Sequence, residues 1–367
     1  MTKNLSRISV KGYKSIRELV DFEVKDLNVL IGSNGAGKSN FIQMFNFLHN
    51  ILELNLQAHV LKNGGSDAFL YHGGKVTDQI YLKFEFGQNI YECTLEPDAK
   101  QSLFFTDETV CFHNPKYPSP MCTSIGSGHA ESKLKTESQS KRYMTMADHV
   151  MHAIGSWKLY HFHDTGFTAK VKGLCKIADN ACLRPDASNL AAYLYHLQRQ
   201  KRTYYANIVD VIRKAAPFFR DFNLRPVPGS DENTRLEWFE KGNDSYYNAH
   251  SFSDGTLRFI CLATLLLQPE ENMPSVILLD EPELGLHPYA ISVLADMLRY
   301  AATRTQVIIS TQSVTLVNQF EPGDLIIVDR EDEASVFKRP SVRDMETWLD
   351  DYALGDLWEK NLMGGRP

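Results

Sequence analysis

Hydrophobic and polar positions along the first 30 residues form two strand patterns and a short apolar run. Ile8, Val10 and Tyr13 lead into the polar turn Gly12-Tyr13-Lys14-Ser15, and Phe22 and Val24 alternate with charged neighbours. Leu27 to Ile31 reads as a buried strand. A glycine-rich loop follows at 32–37. Beyond it Phe41, Ile42, Phe45 and Leu48 recur at helical spacing and predict an amphipathic helix. Residues from about 60 to 165 are mostly strand-like. Within them 80–86 and 90–95 flank Gly87-Gln88-Asn89, a hairpin signal. The Ser-, Thr-, Pro-, Gly- and Lys-rich stretch 115–142 predicts a mobile loop. Residues 186–214 predict one or two helices, capped by Asp186 or Ser188 after Pro185. A second α/β half starts near 250. It has a helix to about 267, strands at 276–279 and 307–310, a helix at 288–302, and a later strand at 325–328. The pattern is α/β, without an internal repeat or a sustained heptad, and the tail Gly364-Gly365-Arg366-Pro367 is not helical.

Composition narrows the class. With 367 residues, 43% hydrophobic and 23% charged, the chain can bury a full core, which excludes collagen-like, wholly disordered and disulfide-scaffold proteins. The apolar run 259–267 is far below the ~20 residues of a membrane span, and the N-terminus lacks the apolar segment of a signal peptide. The six cysteines form no CxxC pair, which predicts buried thiols in a reducing cytoplasm. The net charge of −6 lacks the basic excess of non-specific nucleic-acid binders, although a local basic patch is compatible with it.

The chemistry begins at Gly32-Ser33-Asn34-Gly35-Ala36-Gly37-Lys38-Ser39, which matches G-x-x-x-x-G-K-[ST] without a mismatch. It lies between an apolar strand and an amphipathic helix, the context this motif requires; a chance glycine turn rarely has both. Glycines let backbone N–H groups curl around a phosphate, and the helix N-terminus, which opens at Lys38-Ser39-Asn40, adds partial positive charge. Lys38 reaches the β/γ oxygens and the Ser39 hydroxyl is a Mg²⁺ ligand, so ATP and Mg²⁺ are the expected cofactors. The apolar run Val276 to Leu279 ends in Asp280-Glu281-Pro282. Asp280, at the carboxyl end of a strand, is the second metal candidate. Glu281 is the candidate base for an attacking water. Taken alone, two acids at a strand end could simply cap the next helix.

Ser251-Phe252-Ser253-Asp254-Gly255-Thr256 opens an apolar helix, and its Ser253 precedes Asp280 by 27 positions. Serine and glycine at a helix start make a second anion site. With the phosphate loop and the acidic strand end, the chain resembles the ABC-type ATPase heads of the SMC/RecF class. More closely it is similar to compact stand-alone AAA-family ATPases related to the ATPase half of overcoming-lysogenisation-defect proteins. The resemblance runs over nearly the whole chain. It includes Gly12 to Ile16, 160–164, the SDGT segment, DEPELGLHP at 280–288 and STQS at 310–313. It implies an ABC-type P-loop ATPase head, with a mixed central sheet flanked by helices, an antiparallel β subdomain and a helical lobe. The divisions expected are 1–60 and 250–367 for the two parts of the core, 61–185 for the β-rich subdomain and 186–249 for the helical lobe. The resemblance also implies that Ser253 and Gly255 complete the phosphate site of a second copy, giving a homodimer through composite ATP sites or a higher oligomer. His287 stands at the D-loop aspartate position, and Gln312 where a switch histidine is common. Asp254 replaces a glycine of the ABC pattern and adds negative charge near a phosphate. Glutamine cannot carry a proton charge, so hydrolysis is expected to be slow. Gln79 and Gln88 are the two candidates for the Q-loop position.

Other constellations have plainer readings. His161 and His163 could hold zinc with Cys175 or Cys182, but no second ligand pair has zinc spacing, which favours a structural role. Asp164 or His163 could instead approach the nucleotide. Arg199, Lys201, Arg202, Arg213 and Lys214 form a basic helical side that could track a phosphate backbone or simply be solvated. Tyr204-Tyr205 and Tyr246-Tyr247 read as core or interface aromatics before base-stacking platforms, and 329–333 as an acidic turn between strands. The function expected is a slow, cytoplasmic ATPase switch. It would control a separate effector, a nuclease or toxin, in anti-phage defence. The chain is expected to end without room for an appended nuclease domain. The alternative is a RecF-like DNA clamp or repair ATPase; a membrane-partnered transporter subunit fits less well.

Overall fold

A computed structural model describes residues 5–139, 145–341, 348 and 352–365. The chain forms two compact units. One comprises residues 1–158, 322–352 and 356–367, and the other 159–321 with 353–355.

The first unit contains a six-stranded antiparallel sheet in the order Ile16–Glu23, Leu5–Tyr13, Ile80–Phe86, Asn89–Pro97, Leu103–Phe112, Met121–Gly126. Strict alternation of buried and half-buried residues over Ile80–Phe86 gives one core-facing side. Phe86 pairs directly with Asn89, so the hairpin is as expected but its turn is Gly87 and Gln88 alone, and Asn89 opens the second strand. Three strands of a mixed sheet support the phosphate loop. Leu27–Ile31, buried at all five positions, runs parallel to Leu325–Glu331, which pairs antiparallel with Ala334–Lys338. The acidic stretch 329–333 divides between the end of that strand and the turn Asp332-Glu333. Helix Lys38–Leu52 buries Phe41, Ile42, Phe45 and Leu48, the face read from the sequence. Phe41 meets Phe337 at 5.3 Å between ring centroids, and Phe45 meets Trp157 at 5.9 Å.

The second unit is built on the parallel pair Val276–Asp280 and Gln306–Ser310, in register from Val276↔Gln306 to Asp280↔Ser310. Their near-continuous apolar character suits parallel strands covered on both faces. Helix Asp254–Leu266 is buried at every position from Leu257 on, and helix Pro288–Ala302 packs beside it. Helices Leu190–Gln200 and Arg202–Ala215 and two three-stranded antiparallel sheets complete the unit.

Several expectations change. The stretch 60–165 also holds helices: Leu56–Lys62 runs into it, and Met146–Gly155 follows a Thr145–Asp148 capping box. The loop expected at 115–142 contains strand Met121–Gly126 and helix Leu134–Gln139, while 140–144 lie outside the described residues. Neither Asp186 nor Ser188 caps the helix at Leu190. Asn189 is the N-cap residue, and its side chain instead donates to the Asp179 and Cys182 carbonyls. The lobe 186–249 contains strands as well as helices. Six buried thiols are not found either. Cys111 and Cys122 stand directly opposite in a hairpin register and form a disulfide, and Cys182 is exposed. Among the described residues no helix is long and apolar enough to cross a membrane.

Candidate nucleotide-binding and hydrolysis site

In the first unit the phosphate loop joins the end of strand Leu27–Ile31 to helix Lys38–Leu52. Gly37 is the N-cap residue at φ 116° and, having no side chain, supplies no side-chain cap to the helix. A Cβ on Gly37 would strike Ser335 Oγ and stand 2.8 Å from Ser15 Oγ; one on Gly32 would strike the Val328 carbonyl. Glycine is therefore required by close approach as well as by dihedral angle. The backing is polar. Ser335 Oγ donates to the Ala36 carbonyl at 2.5 Å and lies 2.7 Å from Ser15 Oγ, which accepts from Asn40 Nδ2 at 2.8 Å. Lys38 is buried, and its ammonium donates to the Gly32 and Ser33 carbonyls at 2.6 and 2.9 Å. The result is a cradle of backbone amides and one ammonium, the donor set that a polyphosphate needs. A cleft of about 400 Å³ opens beside it, lined by Lys14, Ser15, Asn40, His72, Arg330 and Glu333.

In the second unit Asp280 closes strand Val276–Asp280 and accepts from the Ser310 hydroxyl, its partner across the ladder. Glu281 follows at φ 45°, a conformation costly for a non-glycine residue. Its carboxylate accepts from the Gln312 side-chain amide. Gln312 thus lies against the candidate base. Glu283 is buried and accepts from Thr311 Oγ1 at 2.5 Å and from the Gln312 backbone N–H at 3.4 Å. Its other carboxylate oxygen has no partner among the described residues, and burial raises its pKa above the ordinary carboxylate value.

The signature segment lies in this same unit. Ser253 is the N-cap residue of helix Asp254–Leu266, its hydroxyl accepting from Thr256 N at 3.1 Å. A Cβ on Gly255 would strike the Gly285 carbonyl, so the helix start is pressed against the 284–286 turn. A cavity of about 140 Å³ is lined there by Ser253, Gly255, Thr256, Gly285, Leu286 and His287. Asp254 forms an ion pair with Lys172 at 3.7 Å, which offsets the charge expected to oppose phosphate. His287 is the N-cap of helix Pro288–Ala302, with Nδ1 accepting from Tyr289 N at 3.3 Å. Arg258, only 7% exposed, donates to the Phe162 carbonyl at 3.1 Å, the His163 carbonyl at 3.3 Å, and the Leu284 carbonyl.

Strand Trp157–Tyr160 ends before His161, so His161 and His163 are not strand neighbours. Burial, and then the charge of His163, lowers the His161 pKa. Among the described residues no group of three or more His, Cys, Asp or Glu could hold a metal ion. On the basic side, Arg199 stacks on Tyr195, Lys201 pairs with Glu271, and Arg213 pairs with Asp210 at 2.8 Å. Tyr205 is buried and donates to Asp221, and Tyr247 packs on Trp238 at 5.1 Å. Gln88 is spent in the hairpin turn, and Gln79 precedes strand Ile80–Phe86. Ser335 had no signal in the sequence, while Glu283 lies inside the DEPELGLHP segment and Arg258 two positions beyond SDGT without either being given a role there.

Comparison with known proteins agrees with this geometry. A family described as "AAA ATPase domain" matches residues 4–165, and one described as "AAA domain, putative AbiEii toxin, Type IV TA system" matches 177–318. The Old nuclease of Escherichia phage P2 is 25% identical over 92% of this chain. The chain spans 61% of that relative's length. Among solved structures, an Smc head bound to the C-terminal winged-helix domain of ScpA superposes with a TM-score of 0.56 at 14% identity, over 95% of this chain and 99% of that one. A Pyrococcus furiosus Smc head with an extended coiled coil, bound to the C-terminal domain of ScpA, gives 0.55 at 13%, over 95% and 99%. The fold is thus that of an SMC-type P-loop ATPase head. The family matches, the curated relative and the fold together support the SMC/RecF-like class of AAA ATPases.

Proposed function

We propose that the chain is a slow Mg²⁺-dependent ATPase that acts as a switch, closing as a homodimer on two shared ATP molecules. In this reading Lys38 and the amides of 32–39 hold the phosphates, with Ser39 and Asp280 as the Mg²⁺ ligands. The cradle that any Cβ at Gly32 or Gly37 would fill, and the hard oxygen donors of Ser39 and Asp280, suit that pair. Bound Mg²⁺ would neutralise charge on the phosphate oxygens. Glu281 takes the proton from water, and Gln312 orients that carboxylate. Ser253 and Gly255 meet the γ-phosphate held by a second copy, so ATP binding drives closure.

The observation that carries the hydrolysis reading is the contact of Gln312 with Glu281. It gives the base a neutral amide donor that carries no proton charge, which fits slow turnover. The switch would act on a separate nuclease or toxin in anti-phage defence; the words nuclease and toxin occur in the names of its relatives. The test is steady-state ATPase activity and nucleotide retention of wild type against Glu281→Gln. Loss of turnover with retained ATP supports the assignment; normal turnover in the variant removes Glu281 as the base.

A further inference from the structure

Gln312 could contact Glu281 in many ways if its loop were free. The loop follows strand Gln306–Ser310 and is held from below by Glu283. Thr311 Oγ1 and the Gln312 N–H both donate to the same Glu283 oxygen, at 2.5 and 3.4 Å. Glu283 is 7% exposed and its second oxygen is unpaired among the described residues, an arrangement that burial alone disfavours. An apolar residue of similar size would avoid that penalty, so the carboxyl group must do something a leucine cannot. Glu283 is itself fixed on the other side. Its carbonyl accepts from Leu286 N at 3.0 Å, and Arg258 grips the next carbonyl, that of Leu284.

We infer that Glu283 is a positioning residue for hydrolysis: it fixes the Thr311–Gln312 backbone, and so the Gln312 amide on Glu281, without itself meeting nucleotide or water. This rests on the hydrolysis reading above. A carboxyl acting through one acceptor oxygen is replaceable by an amide, which keeps that acceptor, and not by an alkyl chain.

The experiment compares Glu283→Gln, Glu283→Leu, Thr311→Val and Glu281→Gln in the full chain. It reads kcat, KM for ATP, affinity for a fluorescent ATP analogue and the thermal midpoint. Glu283→Leu should lower kcat about 100-fold, the scale of a reacting group displaced by about 1 Å, with KM and nucleotide affinity unchanged. Glu283→Gln should restore turnover to within about 3-fold of wild type. Thr311→Val should fall between the two and add nothing when combined with Glu283→Leu. If Glu283→Leu does not fold, Thr311→Val against Glu283→Gln makes the same comparison. Wild-type turnover in Glu283→Leu beside an inactive Glu281→Gln would overturn the inference alone. So would a loss in Glu283→Gln equal to that in Glu283→Leu, because the carboxyl would then act as an acid or base itself. Normal turnover in Glu281→Gln would strike the hydrolysis reading and the inference together.

Discussion

Replacing Arg258 by methionine removes a side chain that ties the signature helix to both the 162–163 segment and the 284 turn. The geometry sets the size of the effect. The bond to the Phe162 carbonyl is buried, and its loss leaves an acceptor without a donor at about 2 kcal/mol. The bonds to Leu284 and His163 are partly buried, water can reach those carbonyls, and each adds about 1 kcal/mol. Burial of the thioether chain, in place of a guanidinium that the interior already disfavours, returns about 1 kcal/mol. The net loss is about 3 kcal/mol. At about 2–4 °C per kcal/mol for a unit of this size, the midpoint should fall by about 6–12 °C. The assay is scanning calorimetry of the purified chain, with ATP-analogue affinity measured in parallel. Lysine should give an intermediate loss, because one ammonium cannot reproduce a guanidinium's fork of donors. A midpoint change below about 2 °C in the methionine variant would refute the argument that these three bonds hold the segment.

Lys38→Ala should weaken ATP-analogue binding more than about 100-fold in a fluorescence titration, since its ammonium, held by the Gly32 and Ser33 carbonyls, is the cation of the cradle. Ser253→Arg should leave that titration unchanged and block nucleotide-dependent association; hydrolysis at the wild-type rate would contradict the composite site. Glu283 has a folded pKa above its unfolded one, so its contribution to stability is complete below the unfolded carboxylate pKa and is lost as pH rises through the folded value. Glu283→Gln should therefore flatten the fall in thermal midpoint between mildly acidic and alkaline pH, and an unchanged slope would show that another group titrates there.

What was legible in the sequence was local. The G-x-x-x-x-G-K-[ST] run carries its own strand and helix, so the phosphate loop, the 41/42/45/48 face and the start of helix Lys38–Leu52 follow from a few consecutive residues. The strands ending at Asp280 and Ser310 stand out because parallel strands buried on both faces are apolar without alternation. What was illegible depends on partners far away in the chain. Ser335 backs a loop some 300 positions earlier, and Glu283 gains its meaning only from Thr311 and Gln312. Helix Met146–Gly155 was missed because its Thr145–Asp148 capping box sits in a stretch dominated by strand residues. The disulfide was missed because Cys111 and Cys122 become neighbours only through hairpin register, which spacing alone does not reveal.

The central claim is that ATP assembles two copies through Ser253 and Gly255 and that Glu281 then releases them. The most direct measurement is the solution mass of Glu281→Gln, by light scattering on a sizing column, with and without Mg-ATP. The account predicts a doubling of mass that requires nucleotide and is abolished by adding Ser253→Arg. A mass that ATP leaves unchanged, in a variant shown to bind it, would contradict the account.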